Sequence, residues 1–201
     1  MRFVDDLGFA IGWIAPRPPF MQRTSHAVAA GGRVWVIDPV DDDEALERVR
    51  ALGEPAGVLQ LLDRHGRDCA LVAGRLGVRH HALPQVAPAG APFEIFPVVR
   101  RRSWREIGLW FPEHEAIVSA DALGTAPYYR AASERLAVNP LLRLTPPHVF
   151  LRYAPRHVLV GHGEAVSADA ESAVRDAVLL ARRRAPAWLV ASARSFFRSK
   201  S

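Results

Sequence analysis

A chain of 201 residues suits one domain and is long enough to bury a sizeable core. Hydrophobic residues make up 49% and charged residues 23%, which excludes a disordered chain, and a single cysteine, Cys69, excludes an internal disulfide framework. The formal charge is +5, yet its 25 arginines and one lysine, Lys200, are scattered among abundant Ala and Pro without interleaved aromatics; this reads as codon bias in a GC-rich genome, and nucleic acid is not an expected partner.

Asp5 and Asp6 stand where a secretory leader would need a positive region and an apolar run. No uncharged apolar stretch reaches the roughly 18 residues of a membrane span. With one unpaired cysteine, the expectation is a cytoplasmic chain with no stable membrane insertion. A homo-oligomer is left open.

In chain order, residues 9–15 and 24–30 read as strands separated by Pro16, Pro18 and Pro19. Gly31-Gly32 turns a hairpin into the apolar run 34–37, the pattern of a strand covered on both faces. Asp41–Asp43 cap a helix whose apolar face is Ala45, Leu46, Val49 and Leu52, stopped by Gly53. Residues 58–62 form another buried strand. The polar run 63–68 and a short helix ending at Gly77 follow.

The second half opens with strands at 93–99, 106–111 and 116–120, the last two joined by a turn at 112–115. Thr145-Pro146-Pro147 reads as a helix start. A short strand at 158–160 runs into Gly161-His162-Gly163-Glu164, and a long helix begins near Ser167 and breaks at Pro186. Strands in two groups with helices outside predict a four-layer αββα sandwich of mixed α and β structure. The expected division is one domain over residues 1–186 and a basic tail or short helix over 187–201.

Three strand ends carry polar residues: Asp63 to Asp68 after the strand at 58–62, Asp121 after 116–120, and His162 after 158–160. Loops at strand ends are held rigidly, and His and carboxylate groups converging from three of them suit a transition metal such as zinc.

In this order the chain resembles the metallo-β-lactamase superfamily, over residues 25–164. That family has a strand ending in Asp, here Val36-Ile37-Asp38-Pro39; a strand running into His-x-His-x-Asp-His; a later lone His; a strand ending in Gly-Asp, here Ser119-Ala120-Asp121; and a final Gly-His, here Gly161-His162. The chain departs from the pattern. Without gaps, Asp63 stands for the first His of the motif, His65 matches the second, Arg67 replaces the Asp and Asp68 the last His. A slip of one residue would match Asp68 to the Asp and put Cys69 at the last His, at the expense of His65. The ungapped frame is preferred. The lone His has no counterpart near residues 97–103.

The resemblance implies a ligand set of Asp63, His65, Asp121 and His162 for one divalent ion (zinc, iron or manganese), or no ion at all. Arg67 and Arg101 place fixed positive charge where a second cation would sit, and a planar guanidinium clamps carboxylate or phosphate. The expected function is binding of a small anionic molecule at a degenerate site, without catalysis. The alternative is a single-metal hydrolase of an anionic ester, thioester or phosphoester, with Asp68 or Asp121 orienting or deprotonating water. Plainer roles compete: Asp63 and Asp68 as helix caps, Arg64 and Arg67 as their ion-pair partners, Cys69 as a buried helix residue.

Overall fold

The computed structural model describes residues 1–131 and 134–198. Six strands form the first sheet in chain order: β1 (Arg2–Val4), β2 (Ala10–Ile14), β3 (Thr24–Ala30), β4 (Arg33–Ile37), β5 (Pro55–Gln60) and β6 (Arg79–Ala82). β1 to β4 meander antiparallel, while β4, β5 and β6 run parallel. Parallel neighbours need a crossover, supplied here by α1 (Asp43–Leu52) between β4 and β5 and by α2 (Cys69–Leu76) between β5 and β6.

The second sheet comprises β7 (Glu94–Arg101), β8 (Trp104–Phe111), β9 (Ala116–Ser119) and, after a small ladder of β10 (Leu123–Gly124) with β11 (Ala137–Val138), the strand β12 (His157–Val160). Its order is β12-β9-β8-β7. Helix α3 (Ala170–Leu179) packs outside it and runs on into α4 (Ala181–Arg198).

The side chains of β4 show why two layers flank the first sheet. Val34 and Val36 join Ala45, Leu46, Val49 and Val72 under α1 and α2, whereas Trp35 and Ile37 face the core shared with the second sheet. That central core runs through Leu109, Ile117, Val158 and Leu159 to Ala173, Val174 and Ala177 of α3. The result is the expected αββα sandwich. Each wholly buried Leu or Ile contributes about 1.5–3 kcal/mol, so the strands that end beside the polar loops are firmly seated.

Helix starts follow the sequence closely. Asp42 accepts the N–H of Ala45 at 3.0 Å, and Gly77 takes the left-handed conformation that ends α2. Four expectations differ. The strand expected at 58–62 ends at Gln60, because Leu61 and Leu62 leave the first sheet: the Leu61 carbonyl accepts Ile107 N–H and Leu62 bridges to Glu106. Thr145-Pro146-Pro147 opens only a 3-10 helix, His148–Arg152. The last long helix starts at Ala170, after Asp169 at φ +47°, rather than near Ser167. It breaks at Leu180 and not at Pro186, which lies inside α4. Residues 187–198 therefore continue a helix, and the rest of the expected tail, 199–201, lies outside the described residues. Among the described residues no helix is long and apolar enough to cross a membrane.

Candidate metal centre

The departure of Leu61-Leu62 from the first sheet carries the polar loop 63–68 across to the ends of β9 and β12. There His65 Nε2, Asp121 Oδ1 and His162 Nε2 come together, with ligand atoms all within 4.8 Å of one another. His65 Nε2 lies 2.9 Å and His162 Nε2 2.8 Å from the same carboxylate oxygen. Both imidazoles are buried, and the Asp121 side chain keeps 16% exposure.

The far nitrogen of each ring is fixed. His65 Nδ1 donates to Asp38 Oδ2 at 2.8 Å, and His162 Nδ1 donates to the Met21 carbonyl at 2.7 Å. With the proton on Nδ1, each Nε2 presents a lone pair toward Asp121 Oδ1. Lone pairs facing a carboxylate at such distances require a proton or a metal ion between them. Two oriented imidazoles and one carboxylate are a donor set that fits a divalent transition metal, and the Asp38–His65 pair is the kind of outer support that ligating histidines usually have.

Without an ion, protons on Nε2 bridge the rings to Asp121, and the charges respond to those hydrogen bonds. Burial and the Arg67 guanidinium oppose charge on His65, but Asp38 and Asp121 prevail and raise its pKa. Burial likewise works against the Asp121 carboxylate, and the hydrogen bonds from His162 and His65 nonetheless hold its pKa well below the ordinary range.

Asp38 sits at φ +44°, a strained conformation for a residue with a side chain. Its Oδ1 accepts the Leu61 N–H at 2.9 Å while Oδ2 holds His65, so this one carboxylate fixes both the strand departure and the ring. Glycines flank His162 because there is no room beside it: a Cβ on Gly161 would stand 2.5 Å from the Ala120 carbonyl oxygen.

The remaining expected residues sit elsewhere. Asp63 is not in the cluster. Its N–H donates to the Arg105 carbonyl and its Oδ2 accepts the Arg105 N–H at 3.0 Å, which extends the Leu62–Glu106 pairing by one residue. Asp68 takes the N-cap position of α2, but its carboxylate accepts the Asp41 N–H at 2.9 Å and does not join the cluster. Arg67, at φ +35°, points its Nη1 at the carbonyls of Thr24 and Asp38, and its Nη2 at the Gly161 carbonyl, 3.2 Å away, and His65 Nε2, 3.3 Å away. Its Nη1 and Nη2 groups are thus engaged by backbone carbonyls and by His65, and it clamps three segments together rather than opening toward a ligand. The positive charge near the cluster that does face solvent is Arg64, whose Nη2 is 3.7 Å from Asp121 Oδ2. Arg101 is exposed and bonds Thr145 Oγ1 at 2.6 Å.

Sequence reasoning missed Glu106. It is 1% exposed and receives four donors: Ser119 Oγ, the N–H groups of Asp121 and Ala122, and Trp104 Nε1. It holds the loop that presents Asp121. Burial, helped by the nearby Asp121 charge, pushes its pKa up to about 7. The signal was a carboxylate at an inward position of an apolar strand, in step with Trp104.

No protein-family model and no curated protein matches the sequence. Solved structures do match the fold. DIM-1 metallo-β-lactamase superposes with a TM-score of 0.59 at 10% identity, over 90% of this chain and 97% of that one. BLEG-1, a B3 metallo-β-lactamase, gives 0.58 at 15% identity over 83% and 97%. A metallo-β-lactamase from Hirschia baltica gives 0.57 at 9% identity over 90% and 97%. The chain has the metallo-β-lactamase fold. Within that fold the His65–Asp121–His162 cluster lies at strand ends β9 and β12 and at the loop after β5, with the buried Arg67 guanidinium against His65 and the exposed Arg64 guanidinium beside Asp121.

Proposed function

We propose that this metallo-β-lactamase-fold chain binds one divalent metal ion through His65, Asp121 and His162, and uses that centre to hold a small anionic ligand. The observation that carries the reading is the cluster itself: two imidazoles with their Nδ1 protons fixed outward and one carboxylate oxygen between their Nε2 atoms. Zinc, iron or manganese would each accept such donors, and the bound ion supplies a Lewis-acidic centre for an anion. Arg64 lies at the exposed side of Asp121 and would pair with the remaining charge of that anion. A second ion is disfavoured by Arg67, whose positive charge sits 3.3 Å from His65 Nε2.

Binding is favoured over hydrolysis by what the two expected base carboxylates do. Asp68 is engaged by the Asp41 N–H, and Asp121 gives its Oδ1 to both imidazoles and faces Arg64 with its Oδ2, so neither is set up as a base beside a cluster-bound water. The second reading, hydrolysis of an anionic ester, thioester or phosphoester at one metal, rests on Asp121 alone, through the Oδ2 that the imidazoles leave uncontacted.

Elemental mass spectrometry on untagged protein tests the proposal. The expected content is close to one ion per chain after incubation with excess zinc, iron(II) or manganese and desalting, lost in His162→Ala. An Asp38→Asn variant should keep the stoichiometry and weaken affinity about 10- to 100-fold, as loss of an outer carboxylate does. Two ions per chain, or none at any metal concentration, defeats the proposal. Turnover of a phosphodiester or thioester probe by the loaded protein, absent in Asp121→Asn, would shift the conclusion to the hydrolase.

A further inference from the structure

A cleft of about 960 Å³ lies between the end of β6 and the β7–β8 hairpin, apart from the three clustered ligands. Its apolar lining includes Leu83, Val99 and Ile107; Arg100, Arg101, Arg102 and Arg105 also line it, against two carboxylates, Asp63 and Glu106, so the arginines outnumber the acids by two. All four arginines are exposed. The strand register sets Arg100 directly opposite Arg105. Like charges at opposed positions of an antiparallel pair repel and weaken the hairpin. Inside the chain little offsets this. Arg105 Nε is 3.9 Å from Asp63 Oδ2, Arg101 is tied to the Thr145 hydroxyl, and among the described residues neither Arg100 nor Arg102 forms an ion pair. The hairpin therefore carries a charge repulsion that an external anion would relieve.

We infer that this cleft binds a small organic phosphate, with the phosphate between Arg100, Arg105 and Arg102 and the organic part against Leu83, Val99 and Ile107. A dianionic phosphate with three free oxygens matches several guanidinium forks at once, whereas a monocarboxylate would leave most of the positive charge unmatched. The volume is at the upper end of ordinary ligand cavities, about 300–1,000 Å³, so it holds a whole organic molecule and not only an ion. The inference stands independently of the metal reading, because none of the three clustered ligands lines the cleft.

The test is calorimetric titration of the full chain in a chelating, low-salt buffer, with phenyl phosphate and inorganic phosphate as probes. Phenyl phosphate should bind about tenfold or more tighter than inorganic phosphate, since burying one ring is worth at least that factor. The chelator strips any metal ion, so binding under these conditions reports the cleft alone and separates this outcome from failure of the metal centre. The double variant Arg100→Gln/Arg102→Gln should lose at least about tenfold in affinity, with a melting temperature unchanged or raised because a repulsion is removed. Absence of binding at millimolar phenyl phosphate, equal affinity for inorganic phosphate, undiminished affinity in the double variant, or a marked fall in its melting temperature would each overturn the assignment.

Discussion

Glu106 shows how much a single buried side chain decides here. Four donors converge on it, yet burial and the nearby Asp121 charge lift its pKa from 4.5 to about 7. A carboxyl whose pKa is raised on folding contributes stability that is fully present below its unfolded value and is lost as pH rises through its folded value. The window is therefore pH 4.5 to about 7, and by 1.36 kcal/mol per unit the loss is on the order of 3 kcal/mol. In chelator-treated protein, urea unfolding across this window should show that decline, and Glu106→Gln should flatten it. An equal slope in both proteins would mean the carboxyl titrates as if unfolded. The sequence made His65, Asp121 and His162 visible, because each follows a buried strand in a polar context. It hid Glu106, because a strand is read from its apolar majority. It also misdirected attention to Asp63, whose pairing with Arg105 depends on a strand crossing between sheets that has no local signature.

At the scale of elements, the segment 161–163 is the most tightly constrained. Gly161 is pressed against the Ala120 carbonyl, and its own carbonyl accepts both Thr24 N–H and Arg67 Nη2. Gly161→Ala must push β9 and β12 apart at their ends. It should cost about 1–3 kcal/mol in chemical denaturation, as overpacking does, and lower metal content along with stability. Retained stability and stoichiometry would show that the loop has slack. Elements set by apolar pattern and punctuation were legible: β4 follows from its continuous apolar run after Gly31-Gly32, and α1 and α2 from their apolar faces, Asp42 and Gly77. Elements set by their neighbours were not. Pro186 is a strong breaker in isolation, yet it lies in the first turns of α4, where the missing N–H costs one bond, and the helix continues through it.

Across the whole molecule, the three clustered ligands come from two sheets. His65 follows β5 of the first sheet, and Asp121 and His162 follow β9 and β12 of the second. An ion held by all three ties the sheets together and binds the folded chain alone. At a free concentration of about 100 times its dissociation constant it adds about 2.7 kcal/mol. For a chain of this length that raises the melting temperature by roughly 5–10 °C, at about 2–4 °C per kcal/mol. Differential scanning calorimetry with and without zinc checks this, and a shift equal to that of His162→Ala would show that the ion binds elsewhere. The two-sheet architecture itself was readable from strand grouping, since the first six strands are completed before the seventh begins.

That same ordering has a consequence for how the chain tolerates change. All six strands of the first sheet precede those of the second, and residues 83–93 join edge strand β6 to edge strand β7. Lengthening or cutting the chain there leaves every strand ladder whole, along with the Leu62–Glu106 and Arg23–His162 bridges that join the two sheets, so variation in this strap reshapes the rim of the arginine cleft without disturbing the strand ends where the histidines sit.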